Sequence, residues 1–419
     1  MRTLFPREKY LKKMRAFYDD ADIIKVITGI RRSGKSCLMS LIQEELKSKG
    51  IKEENIISIN LDKRPFIHIR KPIELEKAIE EKTSNINGTI YLFIDEIQNV
   101  EGFETTINAY REEGNFSIFI TGSNSYLLSG ELVTKLTGRY IEFEITTLTF
   151  DEYLDMKKFY KKPISDNLDT ELYNYIIEGG FPKTVEYDTL EDKRTYVQSV
   201  VDEIFKKDIE HNRRIKKKRL FDSIEQFIIN NFGSTMSIKT LCEYLSKTRK
   251  ENIRKETVYR YIKQLIDLKI IMKCPRFDLK SKRSLSGEEK YYLSDLSFYF
   301  LTNVDNRIPY GPVLENIVYQ YARSMNYSVS VGKIGKLEVD FILRKPNQDY
   351  AYVQVARYVD NGNIDENGIN ITEEREYRSL EAIKDNWPKY LLTMDHLLER
   401  RNGIKHENIA KFIKDKKEF

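Results

Sequence analysis

Residues 23–36 read IIKVITGIRRSGKS, and this stretch decides the fold class. The run from Ile23 to Thr28 has the length and the β-branched composition of a buried strand. After a glycine-containing turn the chain continues as CLMSLIQEELKSKG, whose apolar residues recur at helical spacing. Strand, glycine loop and helix make the first unit of an α/β domain with a parallel sheet. Within it, GIRRSGKS fits G-x-x-x-x-G-K-[ST] at each fixed position from Gly29 to Ser36. Glycines at 29 and 34 let backbone N–H groups close around phosphates, and the helix N-terminus beyond them adds its positive dipole end. The expected nucleotide-binding set is Gly29, Arg31, Arg32, Ser33, Gly34, Lys35, Ser36 and Cys37, with ATP and Mg2+ as cofactors. Lys35 would bridge the β- and γ-phosphates and the Ser36 hydroxyl would ligate the metal.

About sixty residues on, YLFIDEIQNV carries Asp95 and Glu96 at the end of an apolar run. A carboxylate pair there is costly unless it is solvated at a sheet edge or has work to do. After a phosphate loop the work is specific: Asp95 holds Mg2+ through its water shell, and Glu96 orients and polarises the attacking water. A further strand, NFSIFITGS, ends in TGSNSYLLSG, where Thr121, Ser123 and Asn124 can contact the γ-phosphate or the lytic water. Arg139 in LTGRY is a candidate arginine finger, supplied across a homo-oligomer interface; a surface ion pair is its alternative role. NIISINL at 55–61 and TIYLFID at 89–95 supply further buried strands, so a parallel sheet covered on both faces is expected.

At 419 residues the chain is long enough for two to four domains. No run approaches the roughly 18 apolar residues of a membrane span, and MRTLFPREKYLKKMR lacks a signal-peptide core, so a cytoplasmic protein with no membrane partner is expected. Cys37, Cys242 and Cys274 are far apart and the four histidines have no metal-ligand spacing, which argues against a disulfide framework or a zinc site. Charge is uneven. Residues 206–290 hold 23 Lys or Arg against 11 Asp or Glu, whereas the remainder is acidic overall. Helical patterns at FDSIEQFIINNF, SIKTLCEYLS and KETVYRYIKQLIDLKII, followed by an apparent hairpin, are the order of a winged helix. In the third helix Val258, Ile262, Leu265 and Ile266 form a core face. Lys255, Arg260 and Lys263 on the other face, with Lys280, Lys282 and Arg283 at the hairpin tip, form a candidate duplex DNA surface. Simple packing between domains is the alternative for this module.

GIRRSGKS, FIDEIQNV, TGSNSYLLSGELVTKLTGRY, LENIVYQYA, LEVDFIL, YVQVA and TEEREYRSLEAIKDNWPKYLLTMD together resemble the bacterial and archaeal family of predicted AAA-type ATPases with a C-terminal restriction-endonuclease-like domain. With the texture of the chain, this leads us to expect an α/β multidomain protein: an N-terminal helix at 1–20, a P-loop ATPase core at 21–145, a helical lid at 146–205, the basic winged-helix domain at 206–300, and a degenerate endonuclease-like domain at 301–419. In such a domain Glu315, Asp340 and Gln354 stand where metal ligands belong, but Ala356 occupies the place of the water-activating lysine. A lysine from elsewhere, such as Lys333 or Lys336, or Arg357 turning inward at a strand irregularity, would have to replace it. The expected function is ATP binding and hydrolysis coupled to duplex DNA binding. A nucleotide-gated interaction switch and an ATP-licensed nuclease are the alternatives.

Overall fold

The computed structural model describes residues 3–122, 136, 138–204, 215, 217–250, 252–303, 307–346, 350–359 and 370–419. The chain divides into two compact units, one of Met1–Thr147 with Glu203–Asp208 and Asp267–Lys269, the other of Leu148–Asp202, Ile209–Ile266 and Ile270–Phe419.

In the first unit, strands β1 (Ile24–Gly29), β2 (Ile56–Asn60), β3 (Ile90–Asp95), β4 (Phe116–Thr121) and β5 (Tyr140–Ile145) form a sheet in the order β2-β3-β4-β1-β5 among the described residues. Every neighbouring pair is parallel. β1, β3 and β4 are buried along their whole length, which is why their sequences are continuous apolar runs rather than alternating ones. Side chains nevertheless alternate between two cores. Val26, Leu92, Ile94 and Ile120 pack on one face with α3 (Pro72–Thr83) and α4 (Phe103–Glu112). Ile27, Phe93 and Phe119 pack on the other with α2 (Lys35–Ser48).

Two features depart from expectation. β5 was not foreseen, because YIEFEI alternates apolar and acidic residues at the sheet edge and lacks the apolar run that marks the inner strands. The N-terminal segment is not a separate element either. Tyr10, Leu11 and Met14 of α1 (Glu8–Met14), with Tyr18, are buried in the second of the two cores. Truncating any of these large side chains would cost about 2–5 kcal/mol.

The second unit spans several of the segments set apart by sequence texture. Helices Phe150–Phe159, Leu168–Glu178 and Leu190–Glu203, expected as a lid on the ATPase core, lie in a segment that clusters with the C-terminal residues up to Asp202. One sheet runs through residues 206–300 and 301–419. It comprises β6 (Thr235–Met236), β7 (Ile271–Asp278), β8 (Arg283–Leu293), β9 (Ser328–Ile334), β10 (Leu337–Arg344), β11 (Tyr350–Val355), β12 (Lys389–Thr393), β13 (Arg400–Arg401) and β14 (Ile404–Asn408). Their order is β13-β14-β12-β11-β10-β9-β7-β8-β6. The join is the parallel pairing of β7 with β9, Arg276 opposite Val331 and Asp278 opposite Lys333. Pairing satisfies the N–H and C=O groups that a free hairpin edge would leave open.

Lys25 on β1 is fully buried; its Nζ donates to the Asp20 carbonyl at 2.6 Å and to Ser117 Oγ at 2.8 Å, and lies 4.7 Å from the Phe119 ring centre. Burial pulls the ammonium down to about 7, opposed only in part by Asp20 and Asp19. In the unfolded chain a lysine keeps its proton up to about 10.4. Between these values the unfolded state binds a proton that the folded state lacks, so the residue's contribution to stability rises with pH and is lost as pH falls toward 7. Lys25→Met should remove this dependence. Relative to wild type, the variant should gain up to about 1.4 kcal/mol for each unit by which pH is lowered from 9 to 7. Urea unfolding at both pH values tests this, and a gap that does not change with pH would refute it.

Candidate phosphate-binding site

β1 ends at Gly29 and α2 begins at Lys35, so Gly29–Ser36 is the turn from a buried strand to a helix N-terminus. A Cβ on Gly29 would stand 2.2 Å from the Ile145 carbonyl oxygen and 2.9 Å from Ser33 Oγ. Only glycine fits, and its φ of +149° is one that side-chain-bearing residues rarely adopt. Gly34 caps α2 at φ +104°, leaving the first amides of the helix without intrahelical partners. Lys35 is buried, and its Nζ donates to the carbonyls of Gly29 at 2.9 Å and Ile30 at 3.2 Å, folded across the loop that it belongs to. Ser36 and Cys37 are exposed. Arg31 and Arg32 both pair with Glu203, a residue of the same unit, at 3.4 and 3.1 Å.

The strand order β3-β4-β1 brings the C-terminal ends of these strands to the edge where the loop emerges. Asp95 closes β3 and is buried. Its Oδ2 accepts from Asn60 Nδ2 at 2.7 Å, and its Oδ1 accepts from the Thr121 hydroxyl. The same hydroxyl accepts from the Glu96 amide at 3.1 Å. Glu96 has φ +61°, a left-handed conformation uncommon for a residue with a side chain, and its carboxylate accepts from Gln98 Nε2. Thr121 therefore ties the two acidic residues together. Asn60 is the partner that the sequence did not single out. The available signal was a polar residue closing an apolar run, as Asp95 does on the next strand, with Asn60 directly opposite Asp95 in the ladder. Ser123 and Asn124 lie outside the described residues.

Arg139 stands just before β5, beside Ile24 at the start of β1. β1 and β5 run in parallel, so Arg139 is about 17 Å along the sheet from its own phosphate loop. It is partly exposed, donates to Asn108 Oδ1 at 3.2 Å and lies 4.0 Å from Glu112.

In the second unit, the helix Lys255–Asp267 buries Val258, Tyr261, Ile262 and Leu265, while Ile266 is only partly covered. Lys255, Arg260 and Lys263 are exposed, as are Lys280, Lys282 and Arg283 around the β7–β8 turn. None of the six makes an ion pair among the described residues.

Glu315, Asp340 and Gln354 come together, and a lysine is present among them after all. It comes from neither Lys333 nor Lys336 but from Lys290 on β8, through the sheet continuity described above. Its Nζ lies 3.1 Å from Glu315, 3.1 Å from Glu338 and 3.9 Å from Asp340. Tyr292 donates to Glu315 at 2.7 Å, and Gln354 donates to Glu376 at 2.9 Å. Burial opposes the charge on Lys290, but Glu315, Asp340 and Glu338 outweigh it and hold the ammonium well above its ordinary value. Burial, reinforced by Glu315, pushes the Asp340 carboxyl well above the carboxylate range. No group of three or more His, Cys, Asp or Glu side chains with metal-holding geometry occurs among the described residues. Nor is any helix among them long and apolar enough to cross a membrane.

An AAA domain model matches residues 21–154, and a model of a domain of unknown function matches residues 169–307. A Walker-type ATPase of Pyrococcus abyssi aligns in structure at a TM-score of 0.49 and 17% identity, covering 71% of this chain and 96% of that one. An uncharacterized protein of Methanocaldococcus jannaschii is 30% identical over 94% of this chain and 85% of its own. An uncharacterized protein of Haemophilus influenzae is 35% identical over 94% of each chain. The chain thus belongs to one family with these two relatives, and it carries an AAA domain at residues 21–154.

Proposed function

We propose that this protein binds ATP with Mg2+ at the Gly29–Ser36 loop and hydrolyses it. The observation that carries this reading is the convergence, at one sheet edge, of the phosphate loop with Asp95 and Glu96. Backbone amides from the loop and the first turn of α2 surround the phosphates, and Lys35 turns its ammonium from the loop carbonyls to the β- and γ-phosphate oxygens. Ser36 and Asp95 would hold the Mg2+, which would screen charge on those oxygens. Asn60 and Thr121 fix the Asp95 carboxylate. Glu96, anchored through its amide to Thr121, orients the attacking water and takes its proton. Arg139 serves only in trans, since it lies at the far end of its own sheet.

ATP turnover is coupled to duplex DNA. Support comes from the run of three helices, Lys218–Asn230, Ile238–Arg249 and Lys255–Asp267, followed by the β7–β8 hairpin, which is a winged-helix order. Six exposed basic side chains on the third helix and the hairpin tip suit phosphate contacts. The C-terminal part is a restriction-endonuclease-like core without its chemistry. Ala356 cannot activate water, and Lys290, held protonated by its carboxylate neighbours, cannot act as a base. It also occupies the place between Glu315 and Asp340 that a cation would take.

Three experiments test these assignments. Lys35→Ala should abolish nucleotide binding, whereas Glu96→Gln should bind ATP normally and release phosphate ~10²-fold or more slowly; wild-type turnover by Glu96→Gln would remove the role given to that residue. In the same assay, a specific activity that does not rise with protein concentration would leave Arg139 structural. Fluorescence anisotropy with duplex DNA should show weaker binding to every sequence when Arg260 and Lys263 are both changed to Glu. Neutralising Lys282 and Arg283 should flatten the salt dependence by up to about two units. Equal binding by wild type and the reversed variant would reduce the module to a packing element. Finally, the protein should not nick DNA with Mg2+ or Mn2+, with or without ATP. Metal-dependent cleavage that disappears in Asp340→Ala would make the ATP-licensed nuclease the better reading.

A further inference from the structure

Arg7 lies 22 residues ahead of the phosphate loop and outside its motif, yet its guanidinium is buried against it. Nη1 donates to the Ser33 carbonyl at 3.1 Å and to the Thr146 carbonyl at 2.7 Å, and Nη2 donates to the Thr147 carbonyl at 3.4 Å. The guanidinium carbon sits 4.5 Å from the centre of the Tyr10 ring. Tyr10 grips the same segment, its hydroxyl lying 2.9 Å from Thr146 Oγ1 and accepting from the Thr146 amide at 3.2 Å. Thr146 and Thr147 directly follow β5, whose last residue, Ile145, is paired with Gly29. One rigid, planar side chain therefore bridges the phosphate loop and the end of the neighbouring strand.

We infer that Arg7 is a positioning residue of the phosphate loop, setting the direction in which the Gly34 amide points. The peptide between Ser33 and Gly34 is planar and trans, so its C=O and N–H point in opposite directions. A Ser33 carbonyl held against Arg7 turns the Gly34 N–H away from Arg7, into the loop. Gly34 cannot hold that orientation by itself. At φ +104°, with nothing within 4 Å of where a Cβ would stand, it has no side chain or side-chain contact to fix the peptide before it. Among the described residues, the only other backbone restraint at Ser33 is its amide bond to the Ile30 carbonyl at 3.1 Å, which holds the preceding peptide and not this one. Charge-assisted bonds to carbonyls are stronger than neutral ones, and the burial of Arg7 keeps water from competing for them. Arg7 touches no phosphate in this scheme; it acts through the amide that does.

The inference rests on the reading of this loop as a nucleotide site, and calorimetric titration of the full chain with ADP and ATP separates the two. Wild type should bind one nucleotide per chain. Arg7→Ala should raise Kd for both nucleotides by about tenfold or more while keeping that stoichiometry. A merely structural role would instead lower the number of competent sites at unchanged Kd. Low-millimolar guanidinium should restore much of the affinity of Arg7→Ala and do nothing for Lys35→Ala. Should Arg7→Ala fail to fold, Arg7→Lys serves, since a single ammonium cannot span the carbonyls of Ser33, Thr146 and Thr147 in the same geometry; its Kd should rise severalfold. Unchanged Kd in whichever variant folds, or no rescue by guanidinium, overturns the inference while the nucleotide site stands. No binding by wild type overturns both.

Discussion

The parallel pairing of β1 with β5 carries the Ile145 carbonyl to within 2.2 Å of where a Cβ on Gly29 would be, and the nucleotide end of the first unit depends on that close approach. It sets the point and direction at which the loop leaves the sheet. The remaining contacts then act on a loop already aimed: Arg7 on the Ser33 carbonyl, and Lys35 on the carbonyls of Gly29 and Ile30. Any side chain at position 29 would force either the strand or the loop to move. The motif glycine is thus required by the neighbouring strand as well as by the phosphates it is read for.

A second constraint is the satisfaction of polar groups at the ends of buried strands. Asp95 closes a fully buried strand, where an unpartnered carboxylate would be very costly. The structure answers with Asn60 and Thr121 from the two flanking strands, one donor for each carboxylate oxygen. The Thr121 hydroxyl also accepts from the Glu96 amide, holding that residue in a left-handed conformation. The proposed metal-holding and water-orienting roles thereby fall on adjacent residues whose directions are set separately, one by side-chain bonds and the other by the backbone.

In the second unit the decisive contact is the parallel ladder between β7 and β9. It merges a helix-rich basic module with a mixed α/β core into one sheet, and it delivers Lys290 to Glu315, Glu338 and Asp340. The same pairing brings the hairpin tip alongside Lys333 at the end of β9, so that basic residues distant in sequence share one end of the sheet. A buried ammonium amid carboxylates is strongly destabilising if either partner is removed, so it ties the hairpin to the core.

Local order was legible in the sequence. IIKVIT, TIYLFID and NFSIFIT are apolar runs whose burial on both faces is a property of each run alone, and GIRRSGKS carries its function in residues that are contiguous. The helices of the basic module showed their core faces through spacing, with Ile266 the one position less covered than its periodicity implied. What the sequence hid was set by pairing between distant segments: β5 at an edge, the sheet that runs past residue 300, Asn60 opposite Asp95, Lys290 beside Glu315 and Asp340, and Arg7 behind the loop. The sequence by itself determined the inner strands of the first sheet, the helices of the basic module and the phosphate loop, because period and motif act over a few residues of chain. Tertiary structure alone decided which polar groups meet, because a buried carbonyl, carboxylate or ammonium takes whichever partner the fold brings within about 3 Å, however far away that partner lies along the chain.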